Sequence, residues 1–222
     1  TNKYLEKEYD GIVSVFLQGD GADVKPAVTG VKNPDGQDRF TTCSLEETEE
    51  AGEKLARNIS EKMKKLQFER ITDFSFKTFL QDVPMFGGLP DLEYLKRGVK
   101  NSETKFRRQR YKRQLEKVDN LDFKLKQDMY VSVWYLNEEY KIIALGCELT
   151  SGLGLKIKEL FEDDRSIVLG YTNEVIGYVG DSKQIAEGGY EADSFMSMGL
   201  GGRLISENED ILFNVIKAAE FK

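Results

Sequence analysis

Apolar residues follow changing rhythms along this chain. Between Gly11 and Gly19 the segment GIVSVFLQG is nearly continuous in Ile, Val, Phe and Leu, the pattern of a buried strand over 11–17. The preceding TNKYLEKEYDG reads as the last turns of a helix feeding it. Residues 27–43 carry turn signals at Gly30, Asn33-Pro34 and Asp35-Gly36 and read as loop. The rhythm then becomes helical over 45–66. Ser44 with Glu47 is a capping-box signature, and Leu55, Ile59, Met63 and Leu66 recur on one face.

ITDFSFKTFLQDV alternates around Phe74 and Phe76 and predicts a strand, and MFGGLPDLEYL a loop into a short helix. Residues 102–117 form a basic helix with Phe106, Tyr111 and Leu115 as sparse anchors. DMYVSVWYL and YKIIALG predict two strands joined by NEE as a hairpin, and CELTSGLGLKIKELF enters a helix. RSIVLGYTNEVIGYVG reads as two short strands around Thr172-Asn173, and SKQIAEGGYEAD as a short helix and a turn. A last helix places Ile211, Val215 and Ala218 on one face. Strands and helices alternate with at least one hairpin and no composition break. This predicts an α/β (mixed α+β) fold over 1–222, a single domain with a mixed sheet flanked by helices.

Composition narrows the function. The 222 residues are 40% hydrophobic and 32% charged, enough for a sizeable core, and the net charge of -7 argues against a dedicated nucleic-acid binder. No apolar run is long enough to span a bilayer. Cys43 and Cys147 match no metal-binding or redox spacing. The chain opens on Thr1 rather than Met and contains no histidine, so a preceding segment is expected to complete the protein.

Several residues could carry chemistry. Arg107, Arg108 and Arg110, with neighbouring lysines, are dense enough to attract an anion. TSGLGLK and MGLGGR are glycine-bearing loops without the phosphate-loop spacing, and packing or turn geometry explains them better. Thr1 raises the possibility of an N-terminal nucleophile whose own amine is the base. Asp20 and Asp23 flank a bend after the apolar stretch. Glu148 follows an apolar strand and precedes a Thr-Ser-Gly turn, and Tyr190 is presented by two glycines.

In this order, FLQGDGADVKP, DGQDRF with EEAGEKLA, GCELTSGLGLKIKE, LGYTNEVIGYV and AEGGYEADS resemble segments of the neutral/alkaline (non-lysosomal) ceramidase family. The likeness spans most of this chain but only the later half of that family's catalytic domain. It implies a zinc-dependent hydrolase acting on an N-acyl amide, an N-acylated small molecule or lipid. It implies a zinc ion held by Glu148 and Tyr190 together with two histidines from outside this sequence, so the N-terminal half of the same domain is an implied partner. Asp23 would shape the site, and Asn173 would orient substrate or the supporting groups.

The family's ceramidases carry an essential serine between the turn and the next helix. Here no serine lies between Asp23 and Cys43, and Thr29 is the nearest hydroxyl. The chain also ends without the C-terminal immunoglobulin-like domain, resembling short, often bacterial, members. Two rivals stand beside this reading. One is the Thr1 nucleophile. The other is a non-catalytic member binding an anionic ligand through the basic helix at 105–113.

Overall fold

A computed structural model describes residues 1–25, 30–32, 38–40, 43–68, 70, 72, 74–161 and 165–219. They fall into two compact units, Thr1–Leu17 with Val24–Thr72 and Gln18–Asp23 with Asp73–Lys222.

The first unit pairs helix α1 (Asn2–Glu8) with α2 (Leu45–Met63). The Ser44–Glu47 capping box forms as the sequence predicts, with Ser44 Oγ accepting from the Glu47 amide at 3.1 Å and Glu47 Oε2 accepting from the Ser44 amide at 2.7 Å. The inward face of α2 differs from the expected one. Ala56 and Ser60 are buried, while Leu55 and Leu66 are exposed. Small residues allow the two helices to approach closely. The Thr1 hydroxyl donates to the Gly52 carbonyl at 2.9 Å, and the Tyr9 hydroxyl lies 2.8 Å from Ser60 Oγ.

Within the expected 27–43 loop, β1 (Gly30–Lys32) and β2 (Asp38–Phe40) pair antiparallel, with Val31 opposite Arg39. Thr29 and the turn residues 33–36 lie outside the described residues. Residues 12–19 are the main departure. They form no regular strand, and Val13, Val15 and Phe16 are well exposed. An apolar run becomes a buried strand only where a sheet face and an edge receive it.

The second unit carries the main sheet, ordered β3 (Lys77–Phe86), β4 (Lys126–Tyr135), β5 (Lys141–Leu145) and β7 (Ser166–Leu169). The β4–β5 hairpin is antiparallel as expected, and β5 pairs with β7 in parallel. That connection passes through β6 (Glu148–Leu149) and α5 (Ser151–Glu159). β6 pairs in parallel with β8 (Tyr178–Val179) as a separate two-stranded ladder. The sheet is therefore mixed, and the α/β expectation holds. β3 starts later than the sequence suggests. Phe74 and Phe76 precede it, exposed and stacked 6.2 Å apart.

Alternation along the strands separates two faces. One face presents Val83, Met85, Met129, Val131, Val133, Ile143, Leu145 and Val168, all buried. Against it pack Leu95 of α3 (Leu92–Asn101), Leu153 and Ile157 of α5, and Leu212 and Ile216 of α8 (Glu207–Ala218). The other face carries Leu80 (63% exposed), Trp134 (39%) and Ile167 (49%) together with Ser132 and Ala144, which are buried. Along α8 Leu212 and Ile216 are fully buried, Ile211 and Val215 pack partly buried against the core as expected, and Ala218 is exposed. Asn208 fastens the start of the helix. Its side chain accepts from the Phe86 amide at 2.8 Å and donates to the Phe86 carbonyl at 2.7 Å, locking α8 to the end of β3.

Helix α4 (Lys105–Asp119) is the basic helix. Its Gln114 is buried and donates to the Leu200 carbonyl at 2.8 Å. Tyr111 and Leu115 pack on the core as expected, but Phe106 is 79% exposed and anchors nothing. Short helices α6 (Ser182–Glu187) and α7 (Phe195–Met198) flank a 3-10 turn at Ala192–Ser194. The MGLGGR glycines serve packing. A Cβ on Gly202 would sit 2.5 Å from the Leu89 carbonyl oxygen, so no side chain fits there. No helix among the described residues is long and apolar enough to cross a membrane.

Candidate functional site

Glu148 opens β6, directly after the buried Cys147. Burial pushes the Cys147 thiol up, so it is no nucleophile at neutral pH. The parallel register sets Glu148 beside Tyr178. The Tyr171 hydroxyl donates to Glu148 Oε2 at 3.0 Å. Burial, then the Glu148 carboxylate, raises the Tyr171 phenol to about 12, and the same two causes raise Tyr178. Both phenols thus remain protonated donors beside Glu148 at neutral pH.

Tyr190 also meets Tyr178, ring against edge, with centroids 5.4 Å apart. Gly188 and Gly189, with φ of +82° and +107°, make the turn that presents it. Glu148 and Tyr190 are thus both neighbours of one residue, Tyr178. Tyr171 and Tyr178 were not singled out from the sequence, although their spacing across GYTNEVIGY, between the two strand ends, could have marked them.

Asp23 occupies a structural position. Its carboxylate accepts from the Ser151 amide at 2.7 Å and from the Ser151 hydroxyl at 3.1 Å. It thus caps α5, whose own N-cap Thr150 makes no side-chain cap bond. The N-terminus of the helix that TSGLGLK opens is thus occupied by this carboxylate. The Ala22 amide donates to Leu149 and the Gly170 amide to Gln18, so the turn after the apolar stretch is fastened beside β6 and β7. Asp20 pairs with Lys158 at 3.3 Å. Asp23→Ala is expected to cost about 0.5–1 kcal/mol, as an exposed cap does. Hydrogen exchange should locate the loss at the Ser151 amide, with Asp23→Asn close to wild type.

Asn173 lies in the loop that carries Tyr171. Both adopt left-handed backbone, with φ of +65° and +54°. Asn173 is exposed, and its side chain is not brought onto Glu148 by any hydrogen bond.

The three arginines separate. Arg108 donates to the Ser102 carbonyl at 2.9 Å, and Arg110 to the Asp193 carbonyl at 2.7 Å and to Ser197 Oγ at 3.0 Å. Arg107 has no side-chain partner among the described residues and lines a groove of about 320 Å³ with Tyr190.

Beneath this groove lies a cluster the sequence reading missed. Asp193 accepts from the Tyr94 hydroxyl at 2.5 Å and the Tyr111 hydroxyl at 2.6 Å, and lies 3.4 Å from Arg203. The Arg203 guanidinium sits 4.4 Å over the Tyr94 ring. Burial first, and then Asp193, raises both phenols above the ordinary value of 10.0. The folded state thus favours neutral phenols. Their contribution to stability is full below pH 10 and is lost as pH rises past it toward the raised values. Thermal midpoints should therefore be flat from about pH 7 to 9 and fall above about pH 10. The fall should be shallower in a Tyr94→Phe/Tyr111→Phe variant, and an unchanged slope there would contradict the assignment.

No group of three or more His, Cys, Asp or Glu able to hold a metal occurs among the described residues. Glu148 and Tyr190 are two oxygen donors near Tyr178, of a chemistry zinc accepts, and are fewer than the roughly three protein ligands of a catalytic zinc site. Thr1 has its hydroxyl hydrogen committed to Gly52, so it is not poised against its own amine.

The molecule is thus an α/β scaffold with a Glu–Tyr cluster at the end of a short parallel ladder. No protein-family model matches the chain, and no curated protein does. Among solved structures, neutral ceramidase from Pseudomonas aeruginosa is similar, with a TM-score of 0.53 at 11% identity. The match covers 100% of this chain and 41% of that one, so the chain spans less than half the length of the ceramidase. At this identity the likeness is one of fold: the chain has a ceramidase-like fold.

Proposed function

We propose that this chain is the later part of a ceramidase-like catalytic domain, and that the complete domain is a zinc-dependent hydrolase of N-acyl amides. The observation that carries this is the placement of Glu148 and Tyr190 around Tyr178 within a ceramidase-like fold.

Zinc, when bound, supplies a Lewis acid for the amide carbonyl and lowers the pKa of a water toward neutrality. In this reading Glu148 and Tyr190 hold it from this chain. The remaining ligands come from outside the sequence, which has no histidine. Tyr171 orients the Glu148 carboxylate through its hydrogen bond. Tyr178 braces the Tyr190 ring. Asp23 fixes the start of α5 just after β6, and Asn173 orients substrate from the Tyr171 loop.

The test is hydrolysis of a panel of N-acyl compounds by the whole protein, before and after chelation and after zinc is returned. Activity lost with chelator and restored by zinc supports the reading. Chelator-insensitive hydrolysis, or none of any N-acyl compound, contradicts it.

A further inference from the structure

The groove that reaches Tyr190 does not end there. A second hollow of about 370 Å³ shares Phe106, Arg110 and Met196 with it, so the two adjoin over α4. Each is of the size that holds a small molecule. Their lining is of two kinds. Phe106 and Met196, with the Tyr94 and Tyr111 rings, give hydrocarbon and aromatic surface. Arg107, in the groove that Tyr190 also lines, and Arg113, in the second hollow, give guanidinium groups with no side-chain partner among the described residues.

The one carboxylate in the lining, Asp193, is already engaged by Tyr94, Tyr111 and Arg203. It cannot neutralise these arginines. In a chain of net charge -7, a cationic, partly apolar groove without a free carboxylate selects an anion with a hydrocarbon part. A bilayer surface fits less well. Phe106 is the only large apolar side chain of α4 that is highly exposed, whereas a helix lying in a membrane needs a continuous apolar face.

We propose that this groove binds a carboxylate-bearing amphiphile, with the carboxylate on Arg107 and the hydrocarbon on Phe106 and Met196. Resting on the hydrolase reading, this makes the substrate class N-acyl amino acids rather than neutral N-acyl alcohols. An α-carboxylate lies only two bonds from the amide nitrogen. It can therefore reach Arg107 while the amide lies near Tyr190, which lines the same groove.

Binding is measured by calorimetry on the whole protein, below micelle concentrations. The probes are the ketone isostere of N-lauroylglycine, in which a methylene replaces the amide nitrogen, and the same chain ending in a neutral dimethylamide. Neither can be hydrolysed at the scissile position. The carboxylate should bind about tenfold tighter than the neutral probe at low salt, an advantage that shrinks as salt rises. Arg107→Ala should remove most of that advantage, and Phe106→Ala should weaken both probes. Both residues are exposed, so the variants should fold. Equal affinities for the two probes, no effect of Arg107→Ala, or binding only to anionic vesicles would overturn the proposal. Retained binding of the isostere without hydrolysis of N-lauroylglycine would support the groove and count against the hydrolase reading alone.

Discussion

Asp193→Ala is expected to destabilise the second unit by about 3 kcal/mol, the low end of what breaking a buried ion pair costs. The carboxylate is the common acceptor for the Tyr94 and Tyr111 hydroxyls and the ionic partner of Arg203. Its removal leaves a guanidinium that is only 30% exposed without its counter-charge, and two phenols without their acceptor. The low end is appropriate because Arg203 keeps some water and the Tyr94 ring. In a chain of this size the thermal midpoint should fall by about 6–12 °C. Asp193→Asn, which keeps one acceptor oxygen, should lose less. A midpoint within a degree or two of wild type in Asp193→Ala would show that the cluster is not a stabilising centre.

The second large effect is on activity. Glu148→Gln in the complete protein is expected to lower kcat/KM by more than the roughly 10–100-fold that loss of a supporting residue costs. The amide keeps the shape and can still accept from Tyr171, so the change removes charge rather than packing. Tyr171→Phe is the matched comparison and should fall within that 10–100-fold range. A Glu148→Gln protein within a few-fold of wild type would remove Glu148 from the reacting centre.

Much of the fold was legible because it is locally determined. The Ser44–Glu47 box, the β4–β5 hairpin and the amphipathic last helix follow from residues close in sequence. The errors lie where packing partners decide. The inward face of α2 runs through Ala56 and Ser60, small residues that carry no hydrophobic signal yet let α1 approach. Residues 12–19 have a strand's composition but are described without strand pairing.

The candidate site was legible only in part. Glu148 and Tyr190 came from a resemblance of motifs, not from any pattern of spacing. Tyr171 and Tyr178 share a short segment, but their link to Glu148 shows only when β6 and β8 are laid side by side. Asp193 is one carboxylate among many in an acidic chain, and two of its partners come from the sequence-distant α3 and α4. Asp23, which the resemblance suggested as a site-shaping residue, is found capping α5 by its bond to Ser151, three residues after Glu148.

The central claim is that Glu148 and Tyr190 supply part of a zinc site. Zinc per molecule, measured by elemental analysis on the complete protein and on its Glu148→Ala/Tyr190→Phe variant, tests it most directly. The account predicts close to one zinc in the native protein and little in a variant that keeps its circular dichroism. Equal zinc in both, or none in the native protein after incubation with zinc, would contradict it.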